Sequence, residues 1–283
     1  MPRPLHIACL QTRPMPDFAS AIDEAVPMAH AAANAGADIL FLPEYCGGLR
    51  SEGRALHPPA ATEDKHDVLH ALQAFAEERQ VWVNVGSIAV KAPGGKLVNR
   101  GYMIAPDGKI TGRFDKLHLF DVDLGEGKTY RESDTITAGG SAVIHDVGLA
   151  TIGHTICYDL RFPQLYRTLA KSGAEILAVP AAFTKTTGEA HWHVLNRARA
   201  IENTRFVVSA CAIGPIPGGD ESYGHSLVVS PWGEVLADGS TLPGVVHAQI
   251  DLDAVAEAEG RVPSLSHDRP FAINASALEK DVA

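Results

Sequence analysis

The chain has 283 residues, 46% hydrophobic and 20% charged, a balance that supports a packed core and excludes wholesale disorder. Its 34 acidic and 24 basic residues leave a formal charge of −10, which argues against a general nucleic-acid binder. No run approaches the roughly 18 consecutive apolar residues of a membrane span. The N-terminus lacks an apolar signal core. Four scattered cysteines (Cys9, Cys46, Cys157, Cys211) are too few for a disulfide scaffold. These features predict a soluble, cytoplasmic protein with reduced thiols.

In chain order, an apolar strand at Leu5–Leu10 leads into a helical stretch, Ala19–Ala35, and then into GADILFLP at Gly36–Pro43. A second helix near Asp64–Gln80, a strand near Val81–Val90 and a hairpin in MIAPDGKITG (Met103–Gly112) come next. The series then repeats. Its second copy comprises Leu149–Ile156, Pro163–Ser172, GAEILAVP (Gly173–Pro180), Glu189–Asn203, Arg205–Cys211 and VVSPWGEVLADG (Val228–Gly239). The Pro-Asp-Gly and Pro-Trp-Gly triplets are turn signals, because proline presets φ and glycine tolerates a positive one.

Strands alternating with helices predict an α/β protein. A duplicated unit of this kind buries best as two sheets packed face to face with helices outside, a four-layer αββα sandwich built from two similar halves. Two separate doubly wound domains are the alternative. One domain over residues 1–283 is expected, with 272–283 a short tail. Asp121–Gly140, between the halves, is polar and glycine-rich; a loop of that length is functional or disordered, and it is expected to border the site.

Three segments place a reactive side chain at the end of an apolar strand. In ILFLPEYCGG, Pro43 stops the strand and leaves Glu44 at its carboxyl end, where open α/β sheets place ligands. A surface acid closing a strand is the competing reading. In ITGRFDKLHLF, Lys116 lies among alternating apolar residues beyond a hairpin; alone, it reads equally as an exposed edge-strand lysine. In TIGHTICYDLRFP, a strand ends at Cys157, and Pro163 opens the next helix at its favoured first-turn position. A thiol near helix N-terminal amides is expected to have a pKa below the ordinary value of about 8.5. Cys9 and Cys211 read as small core hydrophobes, and Cys46 as a second candidate for the pocket of Glu44.

Together these segments combine a nucleophilic thiol, a carboxylate base and a lysine for oxyanion stabilisation. FLPEYCGG, GRFDKLHLF and GHTICYDLRFP resemble, in order, the Glu, Lys and Cys motifs of the nitrilase superfamily of carbon–nitrogen hydrolases. KLHLFDVDLGEGKTYRESDTITAG, AAFTKTTGEAHWHVLNRARAIEN and YGHSLVVSPWGEVLADG further resemble its Nit branch, which holds omega-amidases and deaminated-glutathione amidases. The resemblance implies an αββα fold with Cys157 as nucleophile, Glu44 as general base and Lys116 as transition-state stabiliser. It also implies a second glutamate, Glu132 in YRES with Glu126 as a weaker rival, and an oxyanion contact from the Tyr158 backbone N–H. The implied activity is hydrolysis of the primary amide of a small carboxylated substrate, with ammonia released through a thioester.

No metal or organic cofactor has a task in that scheme. His191 and His193, two apart on a helix, do not share a face and make a poor metal pair; His191 is expected to border the pocket. His118 and His154 read as structural histidines flanking the site. AAFTKTTGEAHW, which includes Phe183 and Thr184, is expected to form a pocket wall suited to a short polar chain. A substrate carboxylate calls for a cationic clamp, with Arg161 and Lys185 as candidates ahead of Arg197 and Arg199, which read as helix-surface salt bridges. N-carbamoyl hydrolase and aliphatic nitrilase are the alternatives within the superfamily. A catalytically idle scaffold is disfavoured because Glu44, Lys116 and Cys157 are all present. A papain-type protease lacks its sequence signature here. The resemblance also implies a homodimer or higher homo-oligomer.

Overall fold

The strand β1 (Pro4–Gln11) buries side chains on both faces, which accounts for its nearly unbroken apolar run. Ile7 and Cys9 join a core between two sheets, while Ala8 and Leu10 point the other way, into a core shared with helices. This computed structural model describes residues 2–52, 55–125 and 129–273. After β1 come α1 (Phe18–Asn34), β2 (Ile39–Phe41), α2 (Asp67–Arg79) and β3 (Trp82–Lys91), then the hairpin of β4 (Leu97–Ile104) and β5 (Ile110–Asp115). Strand β6 (Val143–Asp146) lies beyond the long inter-half loop.

The second series is β7 (Thr151–His154), α3 (Pro163–Lys171), β8 (Ile176–Ala178), α4 (Lys185–Asn203), β9 (Phe206–Ser209), β10 (Leu227–Val229) and β11 (Val235–Asp238). Strand β12 (Gly244–Asp251) and α5 (Asp253–Arg261) close the described elements. The duplication read in the sequence is therefore structural. Sheet one runs β12-β1-β2-β3-β4-β5 and sheet two β6-β7-β8-β9-β10-β11. In each, three central strands are parallel and the hairpin is antiparallel.

The repeat does not predict how the halves are joined. The sixth strand of each half pairs with the first strand of the other: β6 lies antiparallel to β7, and β12 antiparallel to β1. This exchange stitches the two halves together.

Ile7, Ile39 and Phe41 of sheet one meet Ile152, Ile176 and Val208 of sheet two in the central core. Alanines 21, 25, 29 and 32 give α1 a small-residue face against sheet one, beside Leu72 and Phe75 of α2. Trp192 and Ala200 of α4, with Leu169 of α3, cover sheet two. The result is the expected αββα order of layers. Asp17 caps α1 by accepting from the Ser20 N–H at 2.8 Å. Both predicted turns form alike: Gly108 and Gly233 take positive φ (+76° and +84°), and each N–H reaches back three residues. Among the described residues no helix is long and apolar enough to cross a membrane.

Candidate active site

The carboxyl ends of β2 and β7 belong to different sheets, and face-to-face packing of those sheets brings the residues just beyond each strand together. Leu42–Pro43 and Pro180 converge on Gly86, where an added Cβ would lie 2.0 Å from the Leu42 carbonyl oxygen and 2.5 Å from Pro180 Cβ. Only glycine lets these segments approach so closely. Past this point Tyr45 and Cys157 both hold left-handed backbones, at φ +52° and +48°. For residues with a Cβ that conformation costs on the order of 1–2 kcal/mol. The Cys157 N–H donates to Pro180 O at 2.8 Å, and a short 3-10 turn, Cys157–Arg161, carries the chain into α3.

Glu44, Lys116, Glu132 and Cys157 meet in one pocket. All four are buried. Lys116 Nζ lies 2.9 Å from Glu44 Oε1 and 2.9 Å from Glu132 Oε2. Asn99 Nδ2 donates to both carboxylates, at 2.9 and 3.3 Å. The Tyr45 hydroxyl donates to Glu132 Oε1 at 3.0 Å, and the Phe120 N–H to Glu132 Oε2 at 2.7 Å. Glu44 Oε2 accepts the Ala182 N–H at 2.9 Å. Burying two acids and a base is costly unless every partner is present; here each charge has several.

Glu44 and Cys157 line the same buried pocket, and the charge and hydrogen-bonding capacity of Glu44 act on the thiol, with the charge of Glu132 adding to it. The expectation of an acidified thiol is overturned. Burial first, and the Glu44 carboxylate second, push Cys157 well above the ordinary thiol range, with Lys116 as the opposing influence. Burial works against the charge on Lys116, but Glu132 and Glu44 outweigh it and hold the ammonium well above its ordinary value. At rest the pocket holds a thiol, a carboxylate facing it, and a lysine fixed between two carboxylates.

The sequence profile of the carbon–nitrogen hydrolases matches residues 6–259. The chain belongs to that family. It is 38% identical over 269 residues to the deaminated glutathione amidase of Synechocystis sp., covering 94% of this chain and 98% of that one. It is 38% identical over 238 residues to the omega-amidase NIT2 of Bos taurus, covering 84% and 85%. The NitFhit protein of C. elegans superimposes with a TM-score of 0.84 at 32% identity; the match covers 94% of this hydrolase but 65% of that chain.

Within the hydrolase, Tyr158, Phe183 and Thr184 line the pocket. Arg161 and His191 do not. The Arg161 guanidinium lies over the Phe183 ring at 5.5 Å and meets His191 Nδ1 at 3.3 Å, with His191 exposed on α4. Lys185 pairs with Glu221, Arg197 donates to Gly233 O, and Arg199 donates to Leu160 O. None of the four cations considered as a carboxylate clamp lines this pocket. Glu126 falls outside the described residues. Cys46 is buried away from the lining and donates to Ser87 O, and burial pushes its thiol up to about 12.

Asn99, Tyr45 and Asp159 escape the sequence reading. Asp159 is fully buried; it accepts from the Ile156 N–H and from the His118 N–H and Nδ1, tying the cysteine turn to the segment after Lys116. The available signal is a polar residue inside an apolar run, as in LVNRGYMI and ICYDL. The one His/Asp group that could ligate a metal among the described residues is His193, His225 and Asp238, whose ligand atoms lie within 4.8 Å of one another. It lies outside the pocket lining, and each histidine already pairs with Asp238.

Proposed function

We propose that this hydrolase cleaves the amide bond of a small molecule through a thioester on Cys157. The observation that carries the reading is the gathering of Glu44, Lys116, Glu132 and Cys157 in one buried pocket, with the lysine held between the two carboxylates. Amidase names on the Synechocystis and bovine relatives support it.

In the proposed reaction Glu44 takes the thiol proton as Sγ attacks the amide carbonyl carbon. Burial and the Glu44 charge hold Cys157 in its thiol form, so transfer accompanies attack and no buried thiolate stands beside Glu44 beforehand. The oxyanion is received by Lys116 Nζ and the Tyr158 backbone N–H. Glu44 returns its proton to the leaving nitrogen, and ammonia or an amine departs. Glu44 then takes a proton from water as that water attacks the thioester, and passes it to the departing sulfur. Glu132 holds Lys116 in place.

The test is a substrate panel with wild type beside Cys157→Ala. The panel contains alpha-ketoglutaramate, alpha-ketosuccinamate, deaminated glutathione, aliphatic amides, a carbamoyl amino acid and a nitrile. Release of acid and amine or ammonia that is lost in Cys157→Ala, with an acyl adduct on Cys157 by mass spectrometry, is the expected result. Wild-type rates in the variant would overturn it.

A further inference from the structure

The charges around the pocket are a poor match for the carboxylated substrates expected from sequence. Among its described lining residues are three carboxylates, Glu44, Glu132 and Asp220, against one amine, Lys116. Lys116 is committed to Glu44 and Glu132. Asp220 stands apart from that network. It is half-buried between the short strands Ile213–Pro215 and Glu221–Tyr223 and accepts the Tyr130 hydroxyl at the pocket wall.

Apolar side chains, including Leu49, Phe120 and Ile216, occupy much of the remaining lining. One neighbouring cavity shares Tyr130, Thr184 and Asp220 and holds Lys185; another shares Tyr45, Phe120, Tyr130 and Glu132 and holds the exposed Arg131. The Lys185 ammonium pairs with Glu221 at 2.9 Å.

A substrate carboxylate brought to Asp220 would meet a like charge between apolar walls, where solvent screening is weak. An ammonium there would gain a charge-assisted hydrogen bond, with the methylenes behind it on the apolar lining. We propose that this hydrolase selects amides whose acyl chain ends in a protonated amine, held by Asp220, over amides that end in a carboxylate. The proposal rests on this pocket being the seat of amide hydrolysis.

Three amides of matched length test it: 5-aminopentanamide, pentanamide and glutaramate. For wild type, kcat/KM is expected to be highest for 5-aminopentanamide and about tenfold or more lower for glutaramate. Asp220→Asn should shrink that ratio towards one, mainly through KM, and Asp220→Lys should invert it. Glutaramate turned over as well as or better than the amino amide by wild type overturns the proposal. So does an amino-amide preference that survives Asp220→Asn.

Calorimetry with Cys157→Ala, alone and combined with Asp220→Asn, reads the same preference as binding. If no amide is hydrolysed, the amidase reading falls, and the binding order of 5-aminopentanamide and glutaramate still decides the role of Asp220. Thermal melts confirm that each variant is folded.

Discussion

Acid should destabilise this hydrolase through three buried histidines well before its carboxylates titrate. Burial lowers His66 and His145 from the ordinary 6.5 to about 4. Burial, with His145 alongside, lowers His154 to about 3. His154 is held between the sheets: Nε2 donates to Gly86 O at 3.2 Å, and Nδ1 faces His145 Nε2 at 3.2 Å. Neither ring nitrogen of His66 has a hydrogen-bond partner among the described residues.

In the unfolded chain each imidazole takes up a proton near pH 6.5. In the folded chain it stays neutral until about 4 for His66 and His145, and about 3 for His154. Their contribution is therefore complete above pH 6.5 and is lost as the pH falls through the window below it. The loss is ~1.4 kcal/mol per pH unit for each histidine. Lowering the pH to about 5.5 costs ~4 kcal/mol across the three, a large share of the 5–15 kcal/mol typical of a folded domain.

Urea denaturation at pH 7.5, 6.5, 5.5 and 5.0 measures this directly, with a limiting slope of about three protons per molecule unfolded. His66→Leu should lower the slope by about one proton. A flat stability between pH 7.5 and 5.5, or an unchanged slope in His66→Leu, would refute the reasoning.

Glu44→Gln removes both the proton acceptor and a negative charge beside the thiol. It should cut kcat by about a thousandfold or more while moving the Cys157 thiolate absorbance titration downwards; an upward move would contradict the assigned contact. Glu132→Gln keeps the shape but puts amide N–H donors next to Lys116 Nζ or the Phe120 N–H. A loss of about a hundredfold in kcat with little change in KM is expected, whereas a pure KM effect would make Glu132 a substrate ligand. Gly86→Ala places a methyl 2.0 Å from the Leu42 carbonyl oxygen. It should lower stability by about 1–3 kcal/mol and reduce kcat through displacement of Glu44; a wild-type melt and rate would show that the strand ends can separate freely.

The features legible in the chain are those that local chemistry dictates. The two Pro-x-Gly turns, the GA[DE]IL strands and the proline stops after β2 and β8 each act over a few residues, so they announce the repeat, and Pro43 puts Glu44 just past β2. The exchange of β6 and β12 between halves is not legible, because pairing of β1 with a strand more than 230 residues away leaves no local mark. The direction of the Cys157 shift fails for a related reason. Helix amides are visible in sequence, but the burial and the facing Glu44 that outweigh them exist only once the two sheets meet.

The substrate end shows the same limit most sharply. Arg161 and Lys185 are candidates in the sequence because arginine and lysine bind carboxylates wherever they are free to do so. In the fold Arg161 lies over the Phe183 ring and Lys185 is matched by Glu221. Meanwhile Asp220, in a glycine-rich turn that reads as plain surface, reaches the pocket beside Tyr130. A charge selects a substrate only through the partners it lacks, and those partners are set by tertiary packing. Glu44 and Cys157, the proposed base and nucleophile, sit just past strands; Asp220, proposed to discriminate among acyl chains, sits where the loops meet. Residues 213–223 are therefore the segment on which relatives of shared chemistry are expected to diverge in substrate, and exchanging Asp220 is the smallest change that tests it.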